Sequence, residues 1–196
     1  MDLSTFAFVG QLATTLPLVG LIWLVQVVSY PLFARVGQPD FPAYHEAHSR
    51  LITYVVAPLM LGEITCATLW IVQSPHVAPR SAVWAGALLA AAPWAVTMFI
   101  SVPQHARLAR GFDTRAHHVL VATNWMRTAL WTARAAMLLW LVAELASTTR
   151  ARSDDAEPVG AHQGGAGEAE GHPRGQRRVL GVAHGRSRNT ADKHGR

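Results

Sequence analysis

Two arginines interrupt the last strongly apolar stretch of the chain. Asn124, Arg127, Trp131 and Arg134 recur at i, i+3, i+7 and i+10, which puts them on one stripe of an α-helix. A guanidinium at bilayer depth costs roughly 2.5–3.5 kcal/mol even on insertion scales. Two on one stripe therefore turn that stripe toward other helices, water or a ligand. A guanidinium in such a place can neutralise a buried carboxylate or hold a developing oxyanion. The carboxylate at matching depth is Glu63, in Leu-Met-Leu-Gly-Glu63-Ile-Thr. Glu63 and Arg134 are expected to form an intramembrane ion pair that clamps the second apolar span to the fourth.

Arg127 falls nearer the membrane edge, among other groups with acid–base or hydrogen-bonding chemistry. Asn124 precedes it by one turn, and a buried amide needs a partner. The segment Val102-Pro103-Gln104-His105 ends the third apolar span, and Pro103 is expected to stop or redirect that helix. Gln104 and His105 would then reach in from the edge, with a neutral imidazole able to accept a proton. Ahead of the second span lies Tyr44-His45-Glu46-Ala-His48. If helical, it puts Tyr44 and His48 on one face. His45 and His48 are one turn apart, without the spacing of the His-Glu-x-x-His zinc motif. A metal held by His45, His48 and His105 is one reading of these residues; an interfacial helix with aromatic anchors is another. Gln26 and Tyr30, near the end of the first span, and His117 belong to the same region.

These groups are positioned by four stretches long enough to cross a hydrocarbon core of about 30 Å. They run from about residue 6 to 28, 51 to 72, 82 to 102, and from 119 or 126 to 145. The predicted fold is all-α, a bundle of four transmembrane helices over 1–148. Pro17, Pro58 and Pro93 fall near span centres and predict kinks. No internal repeat, phosphate-binding glycine loop, nucleophile elbow or paired-cysteine motif is read from the chain. The lone Cys66 sits in an apolar run and reads as a small packing residue. The first span has no basic region before it and no small-residue cleavage site after it, so it reads as a span rather than a signal peptide.

From 149 to 196 the composition changes to Gly, His, Arg and Glu without apolar periodicity, and nine of the 17 basic residues lie there. This predicts a disordered basic tail, read as an appendage rather than a nucleic-acid binder. Five arginines flank the loops after spans one and three, against three on the other side. That balance places both termini outside and these loops in the cytoplasm. The expected location is a bacterial inner membrane, with the lipid bilayer as the first partner.

Val102-Pro103-Gln104-His105 with Leu108, and Asn124-Trp125-Met126-Arg127-Thr128, together resemble the paired signature of the anthrone oxygenase-like family of small four-helix membrane proteins. The family's first motif is Val-Pro-x-Asn-x-x-Leu, and here His105 stands at its Asn. Asn124 and Arg127 match the second motif, Asn-x-x-Arg. The resemblance implies oxygenase or related redox chemistry on a lipophilic aromatic molecule, with dioxygen and without a cofactor or metal. On that reading the catalytic residues are His105 as general base, with Asn124 and Arg127 stabilising a phenolate or enolate. Trp131 would stack on the substrate, with Tyr44, His48 and Gln104 as further binding residues. The alternative is non-enzymatic: a small transporter or a structural subunit, working as a homo-oligomer.

Overall fold

The computed structural model of the protein describes residues 2–73 and 78–156. Among them the fold is all-α, and four helices are long and apolar enough to cross a membrane: Leu3–Phe33, Phe41–Gln73, Arg80–Leu108 and Thr114–Ser153. We number these spans one to four. Span one is α1 (Leu3–Leu24), a π-helical turn at Val25–Ser29 and α2 (Tyr30–Phe33). Span two is α3 (Phe41–Gln73). Span three is α4 (Arg80–Val96), a second π-helical turn at Thr97–Ser101 and α5 (Val102–Leu108). Span four lies in α6 (Thr114–Ala156).

Each helix outruns its apolar stretch because polar and aromatic residues at the ends continue the same backbone hydrogen bonding. No Gly or Pro interrupts the chain from Thr114 to Glu157, so α6 passes through 149–156, a stretch assigned on composition to the tail. The remainder of that predicted tail, 157–196, lies outside the described residues. Two short turns join the hairpins at one end of the bundle, and we call this the loop end. In the second, Gly111 takes φ 141°, a region other residues avoid. Asp113 then caps α6, accepting from the Ala116 N–H at 3.0 Å.

Pro103 does not stop its helix. The π-helical turn just before it lets Val102 N–H reach back to Thr97 O, and the helix continues to Leu108. Proline has no N–H and crowds the carbonyl four residues back, and the wider turn accommodates both defects. Span one repeats the device: Tyr30 N–H bonds Val25 O immediately before Pro31. The sequences match as well, Ser29, Pro31, Ala34 and Arg35 recurring as Ser101, Pro103, Ala106 and Arg107. The ends of spans one and three thus share a short segment of similar sequence and shape. Pro17, Pro58 and Pro93 lie inside continuous α-helix.

The spans pack in chain order around the bundle, α1 against α3 and α6, and α4 against α3 and α6. Outward faces are apolar: Phe99 is 81% exposed, Tyr54 and Val72 70%. Polar side chains go inward, as a lipid environment requires. Apolar and polar layers alternate along the axis. Tyr30, Phe33, Phe41 and Leu108 fill the loop end, Leu18, Ile22, Met60 and Trp131 the middle, and Ala7, Trp70, Val83 and Leu141 the far end. One polar layer separates each pair of apolar layers.

α1 and α3 approach closely where Gly10 meets Cys66. A Cβ at Gly10 would lie 2.5 Å from Cys66 Sγ. Gly10→Ala is therefore expected to cost about 1–3 kcal/mol. Adding Cys66→Ala should return most of that loss, as read by thermal denaturation in mild detergent.

Candidate functional site

The far polar layer is a closed ionic clamp. Glu63 and Arg134 are both fully buried, and Arg134 Nε donates to Glu63 Oε1 at 2.9 Å. Every nitrogen of the guanidinium engages a different helix. Nη2 donates to Gln11 Oε1 on α1 at 2.9 Å, and Nη1 to the Gly86 carbonyl on α4. Glu63 also accepts from Thr15 Oγ1 at 2.8 Å and from Trp131 Nε1 at 3.0 Å. The carboxylate thus holds three donors and the pair is charge-neutral, which is what tolerable burial of ions demands. Gln11 and Thr15 were absent from the sequence reading. They are the polar residues at i and i+4 inside span one, and that spacing was the available signal.

The polar layer nearer the loop end is built differently. Arg127 is only 7% exposed, yet among the described residues it has no carboxylate in ion-pair range. Its Nη2 donates to Asn124 Oδ1 at 2.5 Å and Tyr30 Oη at 3.1 Å, and Nη1 to Thr97 Oγ1 at 3.3 Å. Its Nε is buried without a partner. Asn124 is fully buried behind it and donates to Gln26 Oε1 at 2.7 Å, so its amide holds the guanidinium in place.

From Tyr30 the network continues to two histidines. Tyr30 Oη lies 3.2 Å from His105 Nε2, and His105 Nδ1 lies 3.0 Å from His45 Nε2. His117, one helix over, holds the Tyr30 backbone, its Nε2 donating to the Tyr30 carbonyl at 2.8 Å.

Beside this network lies a cavity of about 300 Å³, lined by Arg127, Tyr30, His48, His105, Thr97 and Ser101 at its polar end. Leu18, Ile22, Val25, Met60, Trp94 and Trp131 make its apolar walls. Its volume sits at the small end of ligand pockets, roughly 300–1,000 Å³. Thr53, Met98 and Val102 also line it and are exposed on the outer faces of spans two and three. The mouth therefore opens sideways between these spans, toward lipid. On the wall, Ser101 Oγ, Trp94 Nε1 and Arg127 Nε are buried without partners. All three can donate, so the wall is matched to a molecule that presents acceptors.

Both π-helical turns border the cavity: Val25 from the first, and Thr97, Met98 and Ser101 from the second, with Tyr30 and Val102 directly after them. The structure thus brings His105, Arg127, His48 and Trp131 of the sequence-predicted set to one cavity. Asn124 stands behind Arg127 rather than on the wall. Tyr44 is 39% exposed and stacks on His48, off the cavity, and Gln104 is also off the wall, its Oε1 buried and unpaired. Trp131 lines the cavity while its N–H donates to Glu63 Oε2 at 3.0 Å. Thr97 and Ser101 were missed, although Thr97, Ser101 and His105 run at i, i+4 and i+8 along span three. Among the described residues no group of three His, Cys, Asp or Glu side chains is placed to hold a metal ion.

No protein-family model, no curated protein and no solved structure matches the chain, so the assignment of its chemistry rests on this cavity and its polar end.

Proposed function

We propose that the protein is an integral membrane enzyme that takes a lipophilic aromatic molecule from the bilayer, removes a proton from it and passes it to oxidation by dioxygen. The observation that carries this reading is Arg127: a buried guanidinium with no carboxylate partner, on the wall of an otherwise apolar cavity and beside His105. An uncompensated cation in such a place favours a ligand oxygen that gains negative charge as the reaction proceeds. An apolar aromatic ketone or phenol supplies both the oxygen and the apolar surface. The likeness of the Val102–Leu108 and Asn124–Thr128 stretches to the anthrone oxygenase-like motifs supports the same substrate class.

For an anthrone, the methylene carbon loses a proton and the ketone oxygen becomes a phenolate. Arg127 holds that phenolate, and Tyr30 with His105 takes up the proton. Dioxygen then oxidises the carbon. The methylene gives up both hydrogens, one oxygen atom becomes the new carbonyl and the other leaves as water. The protein contributes orientation, a dry site and the placed charge. The Glu63–Arg134 layer favours this reading over transport, because its two charges are paired with each other and leave only the Gln11 Nε2 unpaired among the groups that bond them.

The test is oxygen uptake by purified protein supplied with anthrone in mild detergent. Stoichiometric anthraquinone is expected. His105→Ala should slow turnover by about 10²–10⁴-fold, the range for a lost general base. Turnover by His105→Ala equal to that of the unaltered protein would remove His105 from the chemistry.

A further inference from the structure

We propose that His45 is the exit station of a proton relay, running Tyr30–His105–His45 from the cavity to the loop end of the bundle. The relay rests on the proposed reading that the bound molecule loses a proton in the cavity.

One set of donor and acceptor roles gives the relay its direction. Arginine only donates, so Tyr30 Oη accepts from Arg127 Nη2 at 3.1 Å. Tyr30 then keeps its own O–H to give, and His105 Nε2 lies 3.2 Å away. If Nε2 accepts, the neutral His105 ring carries its proton on Nδ1, which faces His45 Nε2 at 3.0 Å. His45 Nε2 must then accept, which puts the His45 proton on Nδ1. That atom is buried and has no partner, on a side chain only 2% exposed. The chain ends there, near the start of α3, among the rings of Phe33, Phe41 and His48.

One step shifts every bond in the relay and balances. A proton from the bound molecule arrives on Tyr30 Oη as the Tyr30 proton moves to His105 Nε2. The His105 Nδ1 proton moves to His45 Nε2, and the His45 Nδ1 proton passes to a water molecule that must reach this buried atom from the loop end. No electron moves. Afterwards each imidazole is again neutral, with its proton on Nε2. His105 Nε2–H now donates to Tyr30 Oη, and His45 Nε2–H donates to His105 Nδ1. Three residues from three spans, separated by 60 and 75 positions in the chain, thus form one path.

The first readout needs no ligand. In ¹⁵N-histidine-labelled protein in detergent, His45 and His105 are expected as neutral rings protonated on Nδ1. Protonation of His105 on Nε2 in the resting protein overturns the relay. The second readout uses a lipophilic nitronaphthol as probe, whose phenolate absorbs in the visible, followed by stopped flow with a pH indicator in the bulk. His45→Gln keeps an acceptor for the His105 N–H but cannot carry the proton. It should leave probe affinity within about two-fold and slow phenolate formation and proton release together by about ten-fold or more. Added imidazole should restore part of the rate. Unchanged rates in His45→Gln overturn the relay, and so does loss of probe binding in that variant, which assigns His45 to structure. Failure of the unaltered protein to oxidise anthrone overturns the proposed function separately, and the tautomers still decide the relay.

Discussion

Glu63→Leu is expected to destabilise the protein by about 3–5 kcal/mol, and Arg134→Met to recover about half of that loss when combined with it. Removing Glu63 alone leaves a guanidinium at zero exposure without its counter-charge, and strands Thr15 and Trp131 as donors. Breaking one side of a buried pair has that typical cost, whereas apolar residues of similar volume in place of both are often neutral or better. Arg134→Met alone should cost a comparable amount, because it leaves the carboxylate buried beside two neutral donors. Unfolding in mixed detergent, followed by helical circular dichroism, gives the three stabilities. If the double variant is no more stable than either single one, the clamp does not act as a pair. Because Arg134 also bonds Gln11 and the Gly86 carbonyl, a residual deficit of about 1–3 kcal/mol is expected in the double variant.

Arg127→Met should behave in the opposite way. Arg127 has no carboxylate to strand, so its removal relieves a buried charge while leaving Asn124, Tyr30 and Thr97 short of one donor each. The two contributions are similar in size, and the expected change in stability is within about 1 kcal/mol. Turnover of anthrone, however, should fall by about 10²–10³-fold, the range for losing one preorganised oxyanion donor. Arg127→Lys should recover only part of this loss. An ammonium restores charge but not the planar fork that reaches Asn124, Tyr30 and Thr97 together. Stability and turnover measured side by side separate the two arginines. A variant lacking Arg127 that melts early and keeps its turnover would assign it to structure and sink the proposed site.

Much of this was legible in the chain. The four spans follow from apolar run length, and the inward stripe from the cost of a guanidinium in lipid. Glu63 and Arg134 could be matched by depth because each is an ionisable group deep within its span. The site was legible only in part. His105, Arg127, His48 and Trp131 reach one cavity, but the wall also needs Thr97 and Ser101, ordinary residues whose i, i+4 spacing with His105 is a weak mark. Asn124, grouped with Arg127 by spacing, turned out to support it from behind. Pro103 reads from the sequence as a helix end because a proline in regular α-helix lacks a donor. The π-helical turn at Thr97–Ser101 supplied another solution, and span one uses the same turn at Val25–Ser29 ahead of Pro31.

By itself the sequence determined the helices, their number and which residues share a stripe on each, because these depend on local periodicity and on the solvent a segment can tolerate. Tertiary structure alone decided which stripes meet. Helical period says nothing about how one helix is rotated or shifted against another, and each extra residue in a π-helical turn swings the following stripe by about 100°. Those rotations set Tyr30 between Arg127 and His105, and gave Arg134 a carboxylate while leaving Arg127 without one. The stripe of two arginines thus divides by what faces it: a closed ion pair at one level and an unmatched charge beside a cavity at the other.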